Sequence, residues 1–306
     1  MKIKKPVFWN NKNLISISLF PFSIITFLVN LFKNLSLRKK YNIKTICVGN
    51  LYVGGTGKTS LSIEINKILK KKFKTVFVKK KYLEQFDEGE LLKLHGNFLT
   101  HGERSLSLTK AESNKKFNLA ILDDGLQDKT INYDVTIACF NSSYGIGNGL
   151  LLPAGPLREN LSMLRNYSAI FLNGEKNNKK LFSILKKYNN HIFHSNYLPT
   201  NIEKFNRKKK YLYFCGIGNP EEFGYTLKKY KFKIVKKFIF PDHHNFKNNE
   251  INEIKKFALD NNLEIITTEK DHKRLNKKNK KNIKYLKIKL KINNIEKFKN
   301  FLKEKL

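Results

Sequence analysis

The chain has 306 residues, 41% of them apolar, which excludes a disordered protein and is long enough to expect two cores rather than one. Sixty Lys and Arg face 25 Asp and Glu, a formal net charge of +35 that draws anionic partners. The basic residues run along the whole chain and gather in no nucleic-acid reader motif, so nucleic acid is not an expected partner.

From Leu14 to Phe32 the chain carries no charge (LISISLFPFSIITFLVNLF). About 19 residues barely reach the length of a bilayer span, and Pro21 is expected to kink a helix there. A helix lying in the membrane interface is the preferred reading, against a buried helix of a soluble domain or a true span. Lys12 on one side, and Lys33, Arg38, Lys39 and Lys40 on the other, suit an anionic leaflet. Genome-wide bias toward Lys, Asn and Ile also accounts for part of the basic excess.

Thr45 to Val48 is a short apolar run ending at Gly49, and an amphipathic helix is expected from about Ser60 to Leu69. Between them lies Val53-Gly54-Gly55-Thr56-Gly57-Lys58-Thr59-Ser60. Strand, glycine-rich loop and helix form the context of a phosphate loop. Glycines let backbone N–H groups converge on phosphate oxygens, and the helix N-terminus adds partial positive charge. Lys58 is expected on the β- and γ-phosphates, and Thr59 on Mg²⁺. One departure stands out: Tyr52 occupies the position where the pattern has its first glycine.

Thr75 to Val78 reads as a second strand. A polar stretch from Lys79 to Ser113 follows, with a possible helix around Leu91. Leu119 to Leu122 is a buried-type strand ending in Asp123-Asp124-Gly125, a carboxylate pair suited to a hard cation beside a phosphate loop. Strands are expected at 135–140, 169–172 and 191–194, with a helix at 181–188. After a polar linker at 199–210 the alternation resumes: strand 211–215, helix 221–229, strand 232–240, helix 248–261, strand 264–268. Such alternation predicts parallel sheets with crossover helices in both parts. Cys47, Cys139 and Cys215 are far apart in apolar stretches, which suits buried thiols rather than disulfides or a zinc site.

Several strings together resemble the tetraacyldisaccharide 4′-kinases, the lipid A 4′-kinases. They are Val48-Gly49-Asn50-Leu51 with the phosphate loop, Leu122-Asp123-Asp124-Gly125-Leu126-Gln127, and Leu152-Pro153-Ala154-Gly155-Pro156-Leu157-Arg158-Glu159. Gly216-Ile217-Gly218-Asn219-Pro220, Phe240-Pro241-Asp242-His243-His244 and Thr268-Glu269-Lys270-Asp271 follow in order, and Pro6, Phe8 and Trp9 precede the apolar segment. The resemblance runs from about residue 6 to 275. It implies an α/β fold: a P-loop NTPase-like, doubly wound parallel sheet, a second, smaller α/β lobe, and an N-terminal membrane-associated helix. The expected division is 1–40, 41–206 and 207–306.

The implied reaction moves the γ-phosphate of ATP, with Mg²⁺, to the 4′-hydroxyl of a tetraacyldisaccharide 1-phosphate. The product is lipid IV-A, and the place is the cytoplasmic face of the bacterial inner membrane. No obligate protein partner is expected. Asp123 and Asp124 join Thr59 as expected metal ligands. The family's Gly-Asp-Glu-Pro context falls on Asp87-Glu88-Gly89, which makes Asp87 the candidate base and His243 its hydrogen-bonding partner. Asn50, Glu88 and Arg158 are expected at the substrate; a surface Arg158 paired with Glu159 is the bland alternative. The family's Ser-Arg-Gly-Tyr-Gly is replaced by Lys79-Lys80-Lys81-Tyr82, which changes that loop. A membrane-associated P-loop ATPase or GTPase switch is the alternative function.

Overall fold

The computed structural model describes residues 6–81, 86–174, 178–242 and 244–306, with the backbone alone at 86 and 87. Continuous apolar runs form strands covered on both faces, as parallel sheets require. The strands of the first unit are β1 (Lys44–Gly49), β2 (Thr75–Lys80), β3 (Asn97–His101), β4 (Leu119–Asp123), β5 (Val135–Asn141), β6 (Ala169–Asn173) and β7 (Ile192–Pro199), the central ones of this kind. With β12 (Ile288–Ile292) they make an eight-stranded sheet in the order β12-β7-β6-β5-β1-β4-β2-β3. β1 pairs in parallel with β4 on one side and β5 on the other. The chain leaves β1 toward β2 and β3, returns to β4, and continues at β5, so the winding reverses beside β1. The crevice at the carboxyl ends of strands around such a reversal is where open α/β sheets bind ligands.

Crossover helices are α3 (Lys58–Leu69), α4 (Phe86–Lys93), α5 (Arg104–Ser113) and α6 (Lys179–Lys186). Leu61, Ile65 and Leu69 are buried on α3, the i, i+4, i+8 spacing of one helical face. The helix expected around Leu91 is α4. β3 and α5 lie in the stretch that read only as polar. β3 is an edge strand held on β2 from Val76↔Asn97 to Lys80↔His101, and its residues are no more than half-buried, so it lacks the apolar run of a central strand.

The second unit, residues 197–289, has its own sheet in the order β11-β10-β8-β9. Its strands are β8 (Lys210–Cys215), β9 (Lys233–Ile239), β10 (Glu264–Thr268) and β11 (Ile283–Leu286); helices α7 (Pro220–Lys229), α8 (Asn248–Asp260), α9 (Glu269–Arg274) and α10 (Lys277–Lys280) connect them. Phe223, Leu227 and Phe232 pack with Tyr211 and Tyr213 in one core cluster; Ile251, Ile254 and Ala258 pack with Leu212 and Phe214 in another. Two of the sequence motifs meet at its strand ends. Asp271 is buried, accepts from Gly216 N–H (3.1 Å) and Thr268 Oγ1 (2.7 Å), and pairs with Arg274 (2.8 Å).

The structure divides the chain differently from the expected 41–206 and 207–306. Residues 290–306 rejoin the first unit. β12 lies beside β7, and α11 (Ile295–Lys305) buries Phe298 and Phe301 against Phe193, with ring centroids 4.9 and 5.2 Å apart. Aromatic burial of this kind outweighs chain proximity. The N-terminal segment also belongs to the first unit rather than standing apart. It forms α1 (Leu14–Ser18) and α2 (Phe20–Asn34), and Pro21 starts α2 rather than kinking one long helix, because proline at a first-turn position forfeits no hydrogen bond. No helix among the described residues is long and apolar enough to cross a membrane.

Candidate active site

The phosphate loop hangs between β1 and α3. Gly57 takes φ +83° as the residue before α3, and Gly54 takes φ +132°, both conformations that disfavour any side chain. Helix geometry leaves the first N–H groups of α3 without intrahelical acceptors, so they are available to an anion. Tyr52, standing where the pattern has glycine, is buried, bridges to Leu157 and stacks on Tyr144 at 6.1 Å. The loop entrance is held by an antiparallel bridge in place of a glycine turn. Val53 N–H donates to Pro156 O (2.9 Å), and Arg158 N–H to Leu51 O (2.6 Å). Asn173 donates its amide to Thr56 O, tying the loop to β6.

The two aspartates expected to form one cation site point to different partners. Asp123 ends β4, is fully buried, and accepts at Oδ2 from Thr59 Oγ1 (3.0 Å) and Lys79 Nζ (2.8 Å). Its Oδ1 is a buried acceptor with no hydrogen-bond partner among the described residues. Asp124 turns left-handed at φ +62°, which swings its carboxylate to the cations: Lys58 Nζ at 3.7 Å and Arg158 Nη1 at 3.4 Å. A non-glycine residue held in that region marks a geometry the surroundings impose. Burial alone would raise the Asp124 carboxyl, but Lys58 first, then Arg158, Lys79 and Arg104, hold it below the ordinary carboxylate range. No cluster of three or more His, Cys, Asp or Glu side chains suited to a metal is present among the described residues. Asp123 thus lies against Thr59, and Asp124 against Lys58 and Arg158.

A stability consequence follows with a definite sign. Because the folded-state value of Asp124 is depressed, its contribution is present above the unfolded value of 3.8 and is lost as pH falls through the lower folded value. Denaturant midpoints of wild type and D124N should therefore differ above pH 3.8 and converge below it.

Arg158 does not pair with Glu159. It reaches Asp124 and Gln127 Oε1 (3.1 Å), while Glu159 takes the Tyr167 hydroxyl (2.5 Å) and Lys129 (3.1 Å). Asn50 is fully buried; its side-chain amide donates to Gly54 O (3.2 Å), and its backbone carbonyl accepts from Gln127 Nε2 (2.9 Å). Glu88, on α4, accepts from Lys79 Nζ (2.7 Å) and so belongs to the Asp123 cluster. Asp87 stands in the first turn of α4, but its side chain lies outside the described residues, as does His243. In the second unit, His244 meets Glu250 at 2.9 Å and stacks on Phe240 at 4.8 Å.

Lys79 was not singled out by the sequence reading. Burial alone would pull its ammonium down, but Asp123 first, then Glu88, push it above the ordinary lysine range. A signal did exist. Val78 and Leu122 are register partners on adjacent parallel strands, so apolar runs ending in Lys79 and Asp123 set opposite charges side by side.

The Leu152 to Glu159 string braces this site to the N-terminal helices. Ser23 Oγ donates to Leu151 O (2.9 Å) and accepts from Ala154 N–H (3.3 Å); Asn30 donates to Arg158 O (2.7 Å). Gly155 is required for close approach: a Cβ there would lie 2.2 Å from Asn148 Oδ1 and 2.4 Å from the Leu150 carbonyl oxygen. Gly155→Ala is expected to cost about 1–3 kcal/mol, read by urea denaturation, because a backbone carbonyl has little room to yield.

α1 and α2 have inverted polarity. Their small polar residues Ser16 and Ser23 are buried, whereas Leu14, Ile15, Ile17, Phe22, Ile25 and Phe32 are each more than half exposed. An exposed apolar face of this extent marks an interaction surface.

Comparison with known proteins places these features in one group. A family model described as tetraacyldisaccharide-1-P 4′-kinase matches residues 15–306. The tetraacyldisaccharide 4′-kinase of Pelagibacter ubique (strain HTCC1062) is 45% identical over 300 residues, 95% of this chain and 95% of that protein. That of Rickettsia akari (strain Hartford) is 34% identical over 312 residues, 96% of this chain and 95% of that protein. Among solved structures, the Aquifex aeolicus LpxK in complex with ATP aligns with a TM-score of 0.71 at 23% identity, covering 95% of this chain and 99% of that one, a likeness of fold.

Proposed function

The chain belongs to the tetraacyldisaccharide-1-P 4′-kinase family, and from that premise we propose that it transfers the γ-phosphate of ATP to the 4′-hydroxyl of a tetraacyldisaccharide 1-phosphate, forming lipid IV-A, at the cytoplasmic surface of the inner membrane. The nucleotide-switch alternative is set aside by that membership. The observation that carries the reading is the meeting of Lys58, Arg158 and the phosphate loop around Asp124, with a lipid-suited face tied through Ser23 and Asn30 to the segment that carries Arg158.

Phosphoryl transfer needs charge neutralisation and positioning more than covalent chemistry from the protein. The α3 N-terminus and Lys58 hold the terminal phosphates, and Arg158 stands ready to neutralise charge developing in transfer. Mg²⁺ fits the donor set: it needs only one or two protein oxygens beside phosphates and waters. The unpartnered buried Asp123 Oδ1 and the Thr59 hydroxyl are the groups that would hold it. When bound it supplies further neutralisation of phosphate charge. Asp87 is the proposed acceptor of the 4′-hydroxyl proton.

The exposed face of α1 and α2, flanked by Lys33 and Arg38, suits an anionic membrane surface. The test is transfer of labelled phosphate from ATP to the tetraacyldisaccharide 1-phosphate in vesicles of anionic lipid. Wild type is expected to produce the bisphosphate only with ATP and Mg²⁺, and Asp87→Ala to be strongly slowed. Ile25→Asp is expected to weaken vesicle binding by about ten- to a hundredfold, since one apolar side chain is worth roughly 1.5–3 kcal/mol on burial. Hydrolysis of ATP with no transfer to the lipid would overturn the assignment.

A further inference from the structure

We propose that Lys79 is a positioning residue of the phosphoryl-transfer site, a fixed internal cation that cross-links Asp123 at the end of β4 to Glu88 on α4. The inference rests on the kinase reading above. Lys79 is 3% exposed, and its ammonium lies 2.8 Å from Asp123 Oδ2 and 2.7 Å from Glu88 Oε2. It opens the Lys79-Lys80-Lys81-Tyr82 stretch, where the chain departs from its family's glycine-containing loop.

Two consequences follow from this geometry. First, Lys79 and Thr59 together occupy Asp123 Oδ2, which leaves Oδ1 as the oxygen that remains to be offered. The ammonium therefore selects the orientation of the carboxylate beside the phosphate loop. Second, Glu88 is the residue next to Asp87, in the first turn and a half of α4. Fastening Glu88 to β4 through Lys79 sets where that turn stands relative to Thr59. A buried ion pair is a poor source of net stability but a strict geometric constraint, because separating Lys79 from Asp123 strands both charges away from water, while the partly exposed Glu88 completes the ammonium's partners.

The experiment compares wild type with K79M, K79R, E88Q and the K79M/E88Q double variant. K79M keeps a long unbranched side chain but removes the ammonium, and with it both the charge and the hydrogen bonds to Asp123 and Glu88. It is expected to lower kcat by about 10²-fold, the cost of a misplacement near 1 Å, while the KM for ATP changes by less than about threefold. K79R should recover part of the loss because it keeps the cation. E88Q should lower kcat by about tenfold, and the double variant should be no worse than K79M, since both changes break one linkage. Hydrogen exchange at the α4 amides of the nucleotide-free protein should rise roughly tenfold or more in both K79M and E88Q. That readout needs no lipid acceptor, so it separates failure of this proposal from failure of the kinase reading. Should K79M fail to fold, E88Q and K79R carry the same comparison. Wild-type kcat in K79M or E88Q, multiplicative losses in the double variant, or unchanged exchange in α4 would overturn the proposal.

Discussion

Lys58→Ala is expected to lower kcat by about 10³-fold with the fold intact, the scale of loss when one preorganised donor to developing charge is removed. Lys58 opens α3, directly after the left-handed Gly57, so its ammonium is delivered to the place where the helix N-terminus already favours anions. In the structure that ammonium lies 3.7 Å from Asp124, which also faces Arg158. Truncation leaves Arg158, Lys79 and Arg104 as cations around Asp124, so much of the local electrostatics persists while the contact to the terminal phosphates is lost. The measurement is kcat and KM for ATP, with urea denaturation to verify folding. Full activity in K58A would remove Lys58 from the reaction.

Asp123→Asn carries the second large effect, and on two readouts at once. The carboxylate is fully buried and holds both the Thr59 hydroxyl and the Lys79 ammonium on one oxygen. Neutralising it leaves a 3%-exposed lysine with Glu88 as its remaining ion-pair partner among the described residues. Breaking a buried pair from one side typically costs about 3–5 kcal/mol, and the Asn amide recovers some of that by accepting a hydrogen bond. Activity should fall by about 10²-fold or more, because Thr59 and the proposed cation lose their common carboxylate. Stability is read by chemical denaturation and activity by phosphate transfer. A variant that is destabilised yet fully active at low temperature would assign Asp123 to folding alone.

The Lys58 and Asp123 arguments draw on different amounts of sequence information. The role of Lys58 follows from six neighbouring residues whose spacing dictates a turn and a helix start. That of Asp123 needs its neighbours across the sheet. An apolar run ending in acid suggests a buried strand end, but the partner of the acid depends on which strand lies alongside. Here β4 sits between β1 and β2, so Asp123 meets Thr59 at the start of α3, the helix that follows β1, and Lys79 on β2. The adjacent carboxylates were expected to share a cation. A left-handed backbone at Asp124 separates them instead, and local sequence signals that only weakly, through the following glycine.

By itself the sequence determined the strand, loop and helix around the phosphate site, the buried β4 with its terminal acid, the alternating pattern of both units and the uncharged N-terminal run. Each of these is set by contacts within a few residues, where period and turn chemistry act directly. Tertiary structure alone decided that Lys79 bridges Asp123 and Glu88, that Arg158 turns from Glu159 to Asp124, that residues 290–306 return to the first unit, and that Ser16 and Ser23 of the apolar helices face inward. Those outcomes hang on strand order, register and which face finds a partner, and such quantities come into being only when segments far apart in the chain compete for the same buried surface.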